Sequence, residues 1–113
     1  MRSLLALAAF GLLAACSQSQ TPQERQIASI REDADKRTEA LEEAADRKAK
    51  PLDDQARTLR EQAKQAGGFD ARRLEIQAEG LEKQAELIRD QAEERVEAVA
   101  AAANAKVQAI ESR

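Results

Sequence analysis

No histidine, tryptophan or tyrosine occurs in this chain, and cysteine occurs once. Without histidine, the side chain most used for proton transfer near neutral pH is missing, and no zinc-type His/Cys spacing can be drawn. A lone cysteine cannot close an internal disulfide. Aromatic residues are only Phe10 and Phe69. A broad globular core draws on large aromatic and branched side chains, so a thick core is not expected. The four glycines form no phosphate-binding loop. Charged residues are 35% of the chain with a formal net charge of −3, and the signs are interspersed. There is therefore no basic stripe for nucleic acid. The carboxylates are plentiful but fall on solvated helix faces, so no catalytic residue, metal ligand, cofactor or small-molecule substrate is expected, and the chain does not read as an enzyme.

What the chain does have is alanine, glutamate, lysine, leucine and arginine at helical spacing, the composition of long helices and coiled coils. The amino-terminal stretch is different. Arg2 is followed by an apolar run from Leu4 to Leu13, at about 10 residues too short to span a bilayer as a helix. Small residues then lead to Cys16. The run Leu13-Ala14-Ala15-Cys16 resembles the lipobox of bacterial lipoproteins at all four positions. The resemblance implies that residues 1–15 are a signal peptide and that Cys16 becomes the lipidated first residue. It implies attachment to a membrane through acyl chains, each buried methylene adding ~0.8 kcal/mol. Removing residues 1–15 also removes Arg2 and moves the net charge from −3 to −4. Ser17 rather than Asp follows Cys16, which in enteric-type bacteria resembles lipoproteins sorted to the outer membrane, facing the periplasm.

Residues 16–21 are the lipidated cysteine and a short tether. Its polar stretch, Ser17 to Gln20, reaches only ~14 Å when extended. Thr21-Pro22-Gln23-Glu24 reads as a helix start: a capping threonine, proline at the first helical position and a glutamate that completes a capping box. From there to Ala66 apolar positions recur every three or four residues. They are Ile27, Ile30, Ala34, Leu41, Ala45, Ala49, Leu52, Ala56, Leu59, Ala63 and Ala66, with Thr38 as the polar exception. This narrow stripe fits a two-helix seam. The outer face carries Glu32/Lys36, Asp33/Arg37, Glu43/Arg47 and Asp53/Arg57, each with the acid four residues before the base. Pro51 interrupts the stretch, as a kink or a break. The seam runs through it without a slip, which favours the kinked, continuous form.

Gly67-Gly68 is the only such pair. The expected boundaries are a helix over 22–66, a turn over 67–70 capped by Asp70, and a second helix over 71–112. Phe69 and Leu74 are spaced for a hydrophobic staple across that cap. The other reading of Phe69 is an exposed aromatic at the tip, open to a partner. The second seam is Leu74, Ala78, Leu81, Ala85, Ile88, Ala92, Val96, Val99, Ala103, Val107 and Ile110. A unit of aliphatic, two further residues, Gln and Ala starts at Leu52, Leu59, Leu74, Leu81 and Ile88, seven apart within each helix, as in a left-handed supercoil. From Ile88 the steps become four, four and three, an eleven-residue pattern.

A bend between Gly68 and Phe69 requires facing pairs whose numbers add to 137, and the two seams meet this along their length. Nearest the bend the pairs are Ala63 with Leu74, Leu59 with Ala78, Ala56 with Leu81, Leu52 with Ala85 and Ala49 with Ile88. A large residue faces an alanine each time, which lets helices interdigitate. The predicted fold is all-α: two long antiparallel helices in a coiled-coil hairpin over 22–113, a rod of roughly 60 Å. The mature part also resembles, weakly, the small alanine-rich coiled-coil lipoproteins that link the outer membrane to peptidoglycan. Those end in a wall-linked lysine. This chain ends Glu111-Ser112-Arg113, so a covalent wall link is not expected. The expected role is a spacer or interaction arm of the envelope. The alternative is an accessory subunit that meets its partner through Phe69. Self-association is a reasonable expectation, whereas helices lying on the membrane are disfavoured by the narrow alanine stripe.

Overall fold

The structure, a computed structural model, describes residues 20–113. The expected signal peptide, the lipobox-like run and most of the expected tether lie outside the described residues. Two helices account for nearly all the rest: α1, Pro22–Ala66, and α2, Gly68–Glu111. They pack antiparallel against each other in an extended body of 69 × 17 × 11 Å. The length is what a helix of 45 residues requires at ~1.5 Å per residue.

The start of α1 is built as its sequence predicts. The Thr21 hydroxyl accepts from the Glu24 backbone N–H at 3.1 Å, and the Glu24 carboxylate accepts from the Thr21 N–H at 3.1 Å. Together they satisfy two of the unpaired donors of the first turn. α1 runs unbroken through Pro51. Proline has no N–H to offer the carbonyl one turn back, so continuity here opposes a local cost of ~3 kcal/mol. Packing on both sides supplies the opposition: Ala49 and Ala56 are fully buried.

The bend is tighter than a four-residue turn. Gly67 alone separates the helices, with φ 68° and ψ 159°, and Gly68 follows at φ 64°. Both positions favour glycine because a Cβ is strained at positive φ. The Gly67 N–H donates to Ala63 O, and Gly67 O accepts from the Ala71 N–H, both at 3.4 Å. One residue thus closes α1 and opens α2. This corrects the expected turn over 67–70. Asp70 is not the cap but lies inside the first turn of α2, where its charge suits the helix dipole. The helix also ends at Glu111 rather than 112.

The core is the seam read from the sequence. Ala49, Ala56, Ala78 and Ala85 are completely buried, and Ala45, Ala63, Val107 and Ile110 nearly so. Every other seam position is half-buried except Ala66, which is exposed at the bend. There the chain is already turning away, although Ala71 on α2 is half-buried. At the open end the Gln23 amide donates to the Ile110 carbonyl at 2.7 Å, tying the first turn of α1 to the last of α2.

Candidate functional site

Two faces of the rod carry its chemistry: the charged flank that locks the helices together, and the tip. On the flank, Arg60 grips Glu82 with both guanidinium nitrogens, one to each carboxylate oxygen, the second bond at 2.8 Å. Arg89 reaches back to Asp53 at 2.7 Å, with Asp46 at 3.9 Å on its other side. These residues follow Leu59, Leu81, Ile88 and Leu52 directly, so all occupy the same heptad position, the one that pairs with itself in antiparallel helices.

The order of signs fixes the register. Sliding one helix by a heptad would bring Arg60 to Arg89 in one direction, or Asp53 to Glu82 in the other. Like charges that meet are a penalty even where each correct pair adds little. Asp53 therefore does not bond Arg57 as the four-residue spacing suggests. It turns inward to Arg89, and Arg57 takes Asp54 at 3.8 Å. The other three expected pairs form, Glu32 with Lys36 at 2.9 Å, Asp33 with Arg37 at 3.1 Å and Glu43 with Arg47 at 3.4 Å. The hydrogen bond from Lys36, and then its charge, hold the Glu32 carboxyl below its ordinary value, and Glu32 raises Lys36 in the same way.

At the tip, Phe69 is 85% exposed. The expected staple to Leu74 does not form. The physical reason is the one-residue turn: with Gly67 as the cap, Phe69 is already inside the helix. It points away from the seam, whereas Leu74 lies on it. Asp70 is 3.7 Å from Arg73 beside it. Of the candidate site residues named from the sequence, Phe69 alone falls in the described part. Leu13, Ala14, Ala15 and Cys16 do not.

Two residues were missed. Ile76 and Leu87 are 62% and 57% exposed on the outer side of α2. Their signal was present in the spacing, but a search for one seam per helix passes over a second, sparser stripe.

The concave features are shallow. Grooves of about 240 and 370 Å³ lie along the helix pair, the first beside Ile30, Ala34, Val99 and Ala103, the second beside Ala45, Asp46, Arg89 and Ala92. A further depression of about 370 Å³ lies on the other flank, beside Gln55, Thr58, Leu59 and Leu81. Asp33 and Lys106 also line the first, and Asp54 the last, where the Thr58 hydroxyl donates to the Asp54 backbone carbonyl at 3.1 Å and not to its carboxylate. Among the described residues no group of three His, Cys, Asp or Glu could hold a metal ion, and no helix is long and apolar enough to cross a membrane. Comparison with known proteins finds no matching family model, no matching curated protein and no matching solved structure.

Proposed function

We propose that the chain is a non-enzymatic, lipid-anchored arm of a bacterial envelope. It would be held at Cys16 to the periplasmic face of the outer membrane and act as a spacer or interaction arm. The observation that carries the reading is the geometry of the hairpin. Its start at Pro22 lies at the open end, and the bare aromatic at Phe69 lies at the other, along a body 69 Å long. An anchor at Cys16 would leave only a few tether residues before that open end. The tip would then be the part held farthest from the surface. The lack of histidine, and of a free thiol once Cys16 is acylated, supports the non-enzymatic reading.

The test is metabolic labelling with a clickable palmitate, followed by separation of inner and outer membranes. The expected result is a labelled protein in the outer-membrane fraction that loses both label and membrane when Cys16→Ser is introduced. An unlabelled, freely extractable chain contradicts the anchor. A wall-linked form released only by lysozyme contradicts the expectation that no covalent wall link is made.

The exposure of Phe69 favours a second reading, an accessory subunit that binds a partner through its tip. A photo-crosslinker at position 69 would then capture a partner in cells. Loss of that product with Asp70→Lys or Arg73→Glu beside it would localise the contact.

A further inference from the structure

The three large apolar side chains that α2 leaves in solvent are not scattered. Phe69, Ile76 and Leu87 are spaced by seven and eleven residues. At ~100° per residue those spacings bring all three to within about 20° of one straight line, roughly 27 Å long, on the side of α2 away from α1. Gly80 falls on the same line. It is a glycine in mid-helix without a positive φ, and a Cβ built there meets nothing within 4 Å. Nothing inside the hairpin calls for it, and glycine weakens a helix interior. A bare backbone on an apolar line is what a closely approaching second helix would use.

We infer that this line is a self-docking face on which α2 of a second copy packs antiparallel, about a two-fold axis level with residue 78. That axis sets Ile76 against Gly80 of the other copy, large facing small as in the seam within each hairpin, and Phe69 against its Leu87 at either end of the contact. The flanks agree. Applying the offset seen between the hairpin's own seam and its Arg60–Glu82 bridge, Arg72 meets Glu79 of the other copy, twice by symmetry. Gln77 meets Gln84 on the opposite flank.

A parallel pairing offers Arg72 and Glu79 only glutamines and stacks each large residue on itself, so charge and size both select the antiparallel form. In either form Arg73 and Lys83 lie in the contact. Each already has a carboxylate on its own helix, Asp70 at 3.7 Å and Glu79 at 3.2 Å. Their mutual repulsion still sets a limit on affinity.

The area says the same. Three side chains this exposed supply roughly 350–400 Å² per copy, about half of the ~800 Å² that each partner gives to a standard interface. The pair is therefore reversible. It overlaps two rods at their tips and sends their open ends in opposite directions.

The inference rests on the hairpin and not on the lipid, so it is tested in the full Cys16→Ser chain in mild detergent, which also removes the only native thiol. Asp70→Cys and Gln91→Cys are introduced outside the apolar line. Antiparallel docking brings these two positions together between copies, whereas within one copy they are roughly 31 Å apart along the helix.

The expected result at about 100 µM is an oxidised dimer from the double variant and from neither single variant. Dimer from Asp70→Cys alone means parallel pairing and overturns the inference. No dimer from any of them means the face belongs to another occupant and equally overturns it.

A second measurement leaves position 70 intact. Gly80→Leu is expected to raise helix content while weakening sedimentation-detected dimer at least about tenfold. Stronger association instead would contradict a contact that needs the bare backbone. Arg72→Glu and Glu79→Arg are each expected to weaken the dimer by roughly threefold, and their combination to restore it. Failure of the combined variant to recover contradicts the pairing.

Discussion

Near the bend, every facing pair sets a large side chain against an alanine, and those alanines are buried. Towards the open end the pairing changes. Leu41 faces Val96 and Ile30 faces Val107, large against large. Ala45 faces Ala92 and Ala34 faces Ala103, small against small. Grooves of about 240 and 370 Å³ open beside those small pairs, whereas the depression of about 370 Å³ at Leu59 and Leu81 nearer the bend is a more open surface. Large pairs hold two helices apart, and a small pair between them cannot close the gap. The seam spacing changes in the same place, from heptads to an eleven-residue pattern that relaxes the left-handed winding. The cross-helix ion pairs, Arg60–Glu82 and Arg89–Asp53, also lie toward the bend. One hairpin thus contains a closely fitted half and a looser stretch, joined by a helix that runs through Pro51, with Val107 and Ile110 buried again where the Gln23 bond closes the open end.

The sharpest way to break that comparison is one substitution made in both halves. Ala56→Leu, at a fully buried site against Leu81, is expected to destabilise the hairpin by about 1–3 kcal/mol through overpacking. Pro51→Ala, at the junction, is expected to stabilise by about 2 kcal/mol, the helix interior gaining a backbone hydrogen bond against a smaller loss of chain stiffness when unfolded. Ala34→Leu, beside the 240 Å³ groove, is expected to change sign relative to Ala56→Leu and to stabilise by about 1 kcal/mol. Urea titration followed by circular dichroism reads all three. Equal effects at positions 34 and 56 would erase the distinction between the halves.

Smaller effects sharpen it. Arg60→Glu or Glu82→Arg alone is expected to cost about 0.5–1 kcal/mol, and the exchanged pair to recover most of it, because both groups remain partly exposed. Glu32→Gln in the open half is expected to leave the melting temperature unchanged, both partners being largely exposed. The sign of its pH dependence is still defined. The Glu32 carboxyl is lowered, so what the pair contributes is present above the ordinary carboxylate value and fades as pH falls through the lowered one. Lys36 is raised, so its side of the pair is complete below the ordinary lysine value and fades as pH climbs past the raised one. A melting curve of the wild type and Glu32→Gln at acid, neutral and alkaline pH checks this.

The fold was readable because period, capping and mirror symmetry all point to one answer. Seam positions chosen from spacing alone are the ones the structure covers, with Ala66 as the exception. Thr21 and Glu24 cap as their spacing predicts. What was not readable depended on the exact bend. Two consecutive positive-φ glycines shorten it to Gly67, and that moves Phe69 from a staple to an exposed site and Asp70 from a cap to the first turn. Asp53 shows a related limit: its neighbour in sequence was Arg57, but the antiparallel partner offered Arg89. The outer line of Phe69, Ile76 and Leu87 was present in the spacing but needed burial to single it out.

Amide hydrogen exchange resolved along the chain tests the central claim most directly, because it reads local stability in both halves at once. The account predicts the slowest exchange over residues 49–63 and 74–88, with faster exchange over residues 24–41 and 94–106. Uniform protection along both helices, or the strongest protection at the open end, would contradict it.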